Sequence, residues 1–407
     1  MNAQKNKKKK KWIKRRHLLV RNLAFLVIYP YSRIKYGLKV DKLKEGRDGQ
    51  YLVLYNHQTP FDQFFVGMPF KNHLYYLASE DLFSNGFVSR LINFLVAPIP
   101  IKKQTTDVRA IMTCLRVAKE GGSIAIAPEG NRTYSGKTEY MSDSIVRLVK
   151  KLNLPIALYR IEGGYGVHPR WSDVVRKGKM HCYVSRILYP EEYKELSDSS
   201  LFELIKSELY VNEANADAEF RHKKRAEYLE RAIYVCPDCG LSEFESRGEI
   251  FKCSRCGKGA EYSVKKEFVS EDKNFPFRFV SDWYEHQKDF IRRLDITEYY
   301  GKLMYTDSAS VKEVVVYDRK RPIYDSADIS LFGDKILISS HGSELCMPFC
   351  EVSSVAVLGK NKLNVYHNGK IYQIKGGKRF CALKYVQIYH KYANTQKGDS
   401  NGEFLGL

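Results

Sequence analysis

Short apolar runs rich in β-branched residues recur through the first half of the chain, each ending in a polar turn: YLVLYNH, FLVAPIPI, SIAIAPEG, LPIALYRIEG and MHCYVSRILYP. Between them, residues 105–119 and 140–152 carry apolar positions at helical spacing. Strands alternating with helices predict an α/β domain with a largely parallel or mixed sheet. Residues 191–232 are charged with spaced apolar positions, which predicts helix. From about residue 301 the pattern changes to the short runs VKEVVVYD, KILISS, KLNVYH, KIYQIK and ALKYVQIYH, which predict a small β-rich domain.

These shifts divide the chain into six stretches. Residues 1–29 form a basic arm and interfacial segment, 30–232 the α/β domain, and 233–264 a small cysteine-rich unit. Residues 265–300 read as a connector containing a helix, 301–392 as the β-rich domain, and 393–407 as a polar, flexible tail. Trp283, His286 and Gln287 are expected to pack the connector against the α/β domain. The β-rich part carries no motif; a pleckstrin-homology or GRAM-like lipid module is the alternative to an unspecific β domain.

Composition describes a folded protein, with 44% hydrophobic and 28% charged residues in 407. The net charge of +20 is uneven, because residues 1–21 hold ten Lys/Arg and no acid. An anionic partner is therefore expected, either nucleic acid or an anionic membrane surface. After the arm comes LLVRNLAFLVIYPYSRIKYG, whose apolar runs are broken by Arg21, Asn22 and Pro30. A spanning helix needs roughly 20 apolar residues, so this segment fits an interfacial position better than a crossing. A soluble helix behind a disordered tail is the alternative, and no cleavage pattern of a secretory signal follows. The nine cysteines make no secreted disulfide framework, which points to a reducing cytoplasm. The expected location is the cytoplasmic face of the cell membrane, peripheral or monotopic.

Two polar turns carry candidate chemistry. LYNHQTPFDQFFV places His57 at the end of an apolar run and Asp62 five residues on, at the start of the next helix. An aspartate there can orient one imidazole nitrogen while the other works as a general base. A hydrogen-bonded turn histidine beside a helix cap is the alternative. SIAIAPEGNRTYSG ends another strand in a turn holding Glu129, Gly130, Asn131, Arg132 and Thr133. Gly130 permits a tight path, while the Arg132 fork and backbone N–H groups suit phosphate oxygens. The alternative is a surface turn with a satisfied Glu/Arg pair.

NHQTPFD and PEGNRT resemble the NHxxxxD and EGTR-like blocks of the glycerolipid acyltransferase family, which includes the 1-acylglycerol-3-phosphate acyltransferases. APIPIKK and LPIALYRIEGG are similar to two further blocks, the first ending in Lys103 and the second built around Pro155. The resemblance covers roughly residues 30–190. It implies His57 as the base for an acceptor hydroxyl, Asp62 as its orienter, and Lys103, Glu129, Gly130 and Arg132 around a phosphate-bearing acceptor. The implied reaction moves a fatty acyl group from acyl-CoA or acyl-carrier protein to 1-acylglycerol 3-phosphate, giving phosphatidic acid. Glycerol 3-phosphate or another lysophospholipid is the alternative acceptor. Lys103 stands where Arg is usual, Asn131 where Thr is commoner, and Ala157–Leu158 where many members have a second proline. No Gly-x-Ser-x-Gly elbow is present, so direct transfer is expected.

CPDCG and CSRCG form two CxxCG knuckles with 13 residues between Cys239 and Cys253. Cys236, Cys239, Cys253 and Cys256 suit a tetrahedral Zn2+ in a zinc ribbon appended to the α/β domain. A rubredoxin-like iron site shares these ligands. Four thiolates leave no open position, so the metal is expected to be structural. The mixed charges of FESRGEIFKCSRC and the lack of a basic-aromatic stripe disfavour nucleic acid. A non-catalytic zinc-ribbon adaptor remains the non-enzymatic alternative.

Overall fold

The computed structural model describes residues 11–43, 46–102, 107–214, 218–399 and 402. Its first sheet holds β1 (Leu38–Val40), β2 (Leu52–Tyr55), β3 (Leu74–Ser79), β4 (Ile99–Ile101), β5 (Ser123–Ile126), β6 (Ile156–Glu162) and β7 (Met180–Leu188). Their order is β1-β7-β6-β2-β5-β3-β4, with every pair parallel except β6–β7. The central strands β2 and β5 are buried along their whole length. That is why they read as unbroken apolar runs: helices cover both faces.

Alternate residues of one strand serve opposite layers. Leu52, Leu54, Ile124 and Ile126 face a core with α4 (Val108–Lys119), α5 (Ser144–Leu152) and α8 (Asp198–Leu209). Val53, Tyr55 and Ala125 face the opposite core, with α1 (Arg15–Tyr36) and α2 (Asp62–Gly67). The remaining helices of this half are α3 (Phe87–Val96), the single turn α6 (Gly164–Val167) and α7 (Pro190–Lys194). Helix α1 runs through Pro30 and across the expected boundary at residue 29. Within residues 191–232 the α-helix α8 ends at Leu209, and among the described residues beyond it there is one short 3-10 turn, Leu229–Arg231. The later part runs back over the domain, bridging Lys137 with Asn212 and Lys177 with Arg221.

The cysteine unit pairs β8 (Val235–Cys236) with β9 (Gly240–Leu241), then stacks β10 (Phe244–Arg247), β11 (Ile250–Cys253), β12 (Gly259–Tyr262) and β13 (Phe268–Val269) as an antiparallel sheet. Next comes α9 (Val280–Arg293). Its Trp283 donates Nε1–H to the Val235 carbonyl at 2.8 Å and lies among Phe244, Phe251, Phe268, Phe275 and Phe277. Helix α9 also meets the α/β domain, where Lys288 lies 3.7 Å from Glu139, while Trp283 itself packs on the cysteine unit. That unit is too small to bury its own phenylalanines and needs an outside aromatic to close its core. Gln287 likewise bonds Tyr234 and Ala232, just ahead of the first knuckle.

The last sheet contains β14 (Leu303–Val314), β15 (Lys320–Phe332), β16 (Lys335–Ser340), β17 (Ser343–Pro348), β18 (Val352–Leu358), β19 (Lys362–His367) and β20 (Lys370–Gly376). It is antiparallel throughout, ordered β17-β16-β15-β14-β20-β19-β18. The run ALKYVQIYH, expected as strand, is instead the start of α10 (Ala382–Gln396). Residues 382–390 are all buried, so β-branched and aromatic residues serve this helix as core. Tyr385 donates to the Ile329 carbonyl and Tyr389 to the Val352 carbonyl, fixing α10 across the sheet. One continuous core links this sheet, α10, α9, the cysteine unit and Trp171 of the first domain.

Truncating Trp283 empties the centre of that aromatic group. Trp283→Ala is expected to destabilise the second half by about 3–5 kcal/mol. Denaturant unfolding followed by tryptophan-independent circular dichroism measures it, and a loss below about 1 kcal/mol contradicts the packing described.

Candidate functional site

Parallel pairing sets the geometry of the site. Leu54 lies beside Ile126, so the loops leaving β2 and β5 emerge side by side at the carboxyl ends of the two central strands. The chain from β2 then crosses to β3 and the chain from β5 to β6, on opposite sides of the pair. Ligands of open α/β sheets bind outside the carboxyl ends of the strands, where these loops emerge. His57 and Glu129, 72 positions apart in sequence, become neighbours here, the His57 N–H donating to Glu129 Oε1 at 3.0 Å.

His57 Nδ1 lies 2.8 Å from Asp62 Oδ2. Asp62 is fully buried, and its carboxylate also accepts the N–H groups of Gln58 (2.6 Å) and Thr59 (2.9 Å) and the Thr59 hydroxyl (2.6 Å). With these donors fixed around it, the aspartate holds one orientation and the imidazole follows it. The His57 side chain stays 23% exposed, so the ring reaches the surface of the site. Asn56 ties the base of the loop to β6, donating to the Ile161 carbonyl and accepting the Ile161 N–H.

Glu129 is turned inward. Its two carboxylate oxygens accept the N–H groups of His57 and Glu139, so it joins the two loops. Burial pushes its carboxyl up to about 8, against the pull of the two amides toward the ionised form. The stitching runs both ways, since Thr133 N–H donates to the His57 carbonyl at 3.3 Å. Gly130 has φ +70°, a left-handed conformation that lets the turn close, and its N–H bonds the Ala127 carbonyl. The amides of Gly130 and Thr133 are therefore engaged within the loops.

Arg132 is buried, and among the described residues its Nη1 has no hydrogen-bond partner. Burial, followed by the charge of Arg170, lowers its guanidinium to about 10, while Asp62 pulls the other way. The alternative of a surface Glu/Arg pair is not what forms, since both side chains are buried and the Glu129 oxygens take backbone N–H groups. Lys103 lies outside the described residues. A separate cavity of about 500 Å³, lined by Arg160, Glu162, His181 and Glu213 among others, contains none of His57, Asp62, Glu129, Gly130 and Arg132.

The four cysteines converge as their spacing predicted. The Cys236, Cys239, Cys253 and Cys256 sulfurs all lie within 4.8 Å of one another, with Cys236 and Cys256 Sγ 3.6 Å apart. Four thiolates at tetrahedral bond lengths of roughly 2.3 Å require sulfurs about 3.8 Å apart, so the set fits a metal ion.

Sequence reasoning missed Thr59, Asn56, Glu139 and Arg170. Thr59 and Asn56 sit inside the motif, and short polar side chains in a turn are the signal that marks them. Glu139 and Arg170 carry no local signal, because their partners are distant in sequence.

Residues 36–161 match the family model described as Acyltransferase. No curated protein matches the chain. Among solved structures, the chain is similar to the 1-acyl-sn-glycerophosphate (LPA) acyltransferase PlsC of Thermotoga maritima, with 20% identity and a TM-score of 0.38 over 46% of this chain and 77% of that one. It is also similar to the N-terminal PH domain of human ARAP2, with 16% identity and a TM-score of 0.20 over 24% of this chain and 87% of that one.

Glu129 binds its proton more tightly in the folded than in the unfolded chain. Its contribution to stability is full below its ordinary 4.5 and is lost as pH rises through about 8. Glu129→Gln cannot ionise, so the unfolding midpoint of wild type should fall relative to the variant between pH 5 and 8, in buffers about one pH unit apart. A difference that stays constant across that window would contradict the assignment.

Proposed function

With residues 36–161 matching the family model described as Acyltransferase, we propose that the chain is a glycerolipid acyltransferase that transfers a fatty acyl group from acyl-CoA or acyl-carrier protein to 1-acylglycerol 3-phosphate, giving phosphatidic acid. The observation that carries this reading is the His57–Asp62 pair, 2.8 Å apart, stitched through Glu129 to the turn that bears the buried Arg132. Asp62 keeps the Nδ1 proton on its own side, which puts the basic lone pair on Nε2. The acceptor hydroxyl gives its proton to His57 as its oxygen attacks the thioester carbonyl. A carbon–oxygen bond forms, the carbon–sulfur bond breaks, and the proton passes to the departing thiolate. Arg132 supplies a buried guanidinium for the acceptor phosphate. Lys103 and Gly130 belong to the same acceptor site, Gly130 through the turn it permits.

Zn2+ is the proposed metal of the four-cysteine group. Four thiolate ligands leave no coordination position for substrate, so its part is structural. These residues would hold a segment whose own core is small.

A peripheral or monotopic position at the cytoplasmic face of the cell membrane is the proposed location, and the exposed apolar residues of helices α1 and α3 support a surface contact. No helix among the described residues is long and apolar enough to cross a membrane. Leu23, Leu26, Val27 and Ile34 of α1 and Phe87, Val88 and Phe94 of α3 are nevertheless exposed. The two helices are held together by Arg16, whose Nε donates to the Phe94 carbonyl at 2.7 Å. Basic residues Arg15, Arg33 and Lys35 flank this apolar face, a combination suited to anionic lipid headgroups.

Acyl transfer from labelled acyl-CoA and from acyl-carrier protein to 1-acylglycerol 3-phosphate tests the reaction. His57→Ala should lower kcat by about 10³-fold or more, and Asp62→Asn by about 10²-fold, with thermal stability of the histidine variant near wild type. Absence of transfer by wild type from both donors removes the reading. Flotation with vesicles containing phosphatidylserine tests the surface: Leu26→Asp combined with Phe87→Asp should reduce the bound fraction by at least about fivefold. Unchanged flotation would place the contact elsewhere.

A further inference from the structure

Two buried nitrogens beside the Arg132 turn lack a hydrogen-bond partner among the described residues: Nη1 of Arg132 and Nε2 of His168. The two residues are 8% and 6% exposed. Buried polar atoms are almost always paired, so two orphans in one place indicate something that the protein alone does not supply. His168 follows α6, and its Nδ1 lies 3.1 Å from the Tyr36 hydroxyl. When that hydroxyl donates to Nδ1, the ring proton sits on Nε2, and both unpartnered atoms are then donors. Burial first, then the charges of Lys360 and Arg132, hold the His168 imidazole down to about 3. It is therefore a neutral ring on which two cations bear, one from each end of the chain.

Lys360 sits in the turn between β18 and β19, in the last sheet. Its Nζ is 3.1 Å from Asp173 Oδ1, a carboxylate already engaged by Arg231 at 2.8 Å. Arg170 clamps this turn to the motif loop. It donates to the carbonyls of Arg132 (2.9 Å), Gly359 (3.3 Å) and Val357 (3.4 Å), with its guanidinium 4.4 Å from the Tyr134 ring centroid. Arg132, Arg170, Arg231 and Lys360 thus gather at one seam. Among the described residues, Asp173 is the carboxylate within ion-pair distance of any of them. The excess charge is positive, the unpartnered atoms are donors, and Asp62 is close enough to act on Arg132.

We propose that a phosphate monoester binds at this seam between the two domains, held by Arg132 and His168 of the first domain and by Lys360 of the last sheet. That the ester is the acceptor's headgroup rests on the acyltransferase reading; the anion site itself rests on the seam. Arg132 offers a planar fork, His168 a single directed N–H, and Lys360 a point charge that can turn from Asp173 to the ligand. The β-rich domain then contributes to acceptor recognition and is more than an appendage.

Glycerol 3-phosphate serves as a soluble probe in calorimetric titration of the full chain, with glycerol as control. Lys360→Met should weaken glycerol 3-phosphate binding by about tenfold or more, and Lys360→Arg should restore most of it. His168→Phe, which fills the space without a donor, should also weaken it. In turnover, Lys360→Met should lower the preference for 1-acylglycerol 3-phosphate over phosphate-free 1-acylglycerol, as a ratio of kcat/KM, by about tenfold. Lys360→Gln repeats the test if the Met variant melts early. Wild type that does not bind glycerol 3-phosphate, or Met and Gln variants that bind it as wild type does, would overturn the proposal. If transfer is normal and Lys360 changes neither measurement, the reaction stands and the seam site falls. If binding depends on Lys360 but no acyl acceptor is used, the seam is an anion site and the acyltransferase reading falls.

Discussion

Everything at the site depends on two adjacent parallel strands ending at the same level. Because Leu54 is paired with Ile126, two loops far apart in sequence leave the sheet together, and Glu129 converts that proximity into a fixed distance. Its carboxyl is buried, with both oxygens committed to backbone N–H groups. Such an arrangement gives the loops little freedom to drift, and the His57–Asp62 contact inherits that rigidity. The position of the imidazole–carboxylate pair is thus fixed largely by hydrogen bonds from backbone N–H groups.

The motif loops were legible in the sequence because each is local. A strand, a turn and a helix start lie within a dozen residues, and the physical roles of His57, Asp62 and Gly130 follow from that order. The cysteine cluster was legible for the same reason, since its two knuckles are short and self-contained. Glu129 was found, but its bonds to the His57 and Glu139 N–H groups were not, as sequence cannot say which way a side chain points. His168, Arg170 and Lys360 were not found at all. Arg170 reaches Gly359 across 189 positions, and no pattern of residue types marks a contact of that range.

The second half was misread where burial overrides local preference. ALKYVQIYH carries the β-branched and aromatic residues of a strand, yet it is enclosed on all sides as α10. An enclosed helix has no polar face to show a helical period, so its pattern is ambiguous by construction. Trp283 was assigned to the wrong partner because the cysteine unit was treated as self-sufficient. Its four-stranded sheet instead shares one core with α9 and the last sheet, and the boundaries drawn from composition fall inside that shared core.

Arg170 also ties the site to the direction of synthesis. The strands carrying His57 and Glu129 leave the ribosome early, and domains made first generally fold first. The carbonyls of Val357 and Gly359, which complete the hydrogen bonding of Arg170, are made some 190 residues later. A nascent chain can therefore assemble the sheet and the imidazole–carboxylate pair while the turn bearing Arg132 still lacks its clamp. The finished loop thus depends on strands of the other domain, and its closure waits until the turn between β18 and β19 has been made.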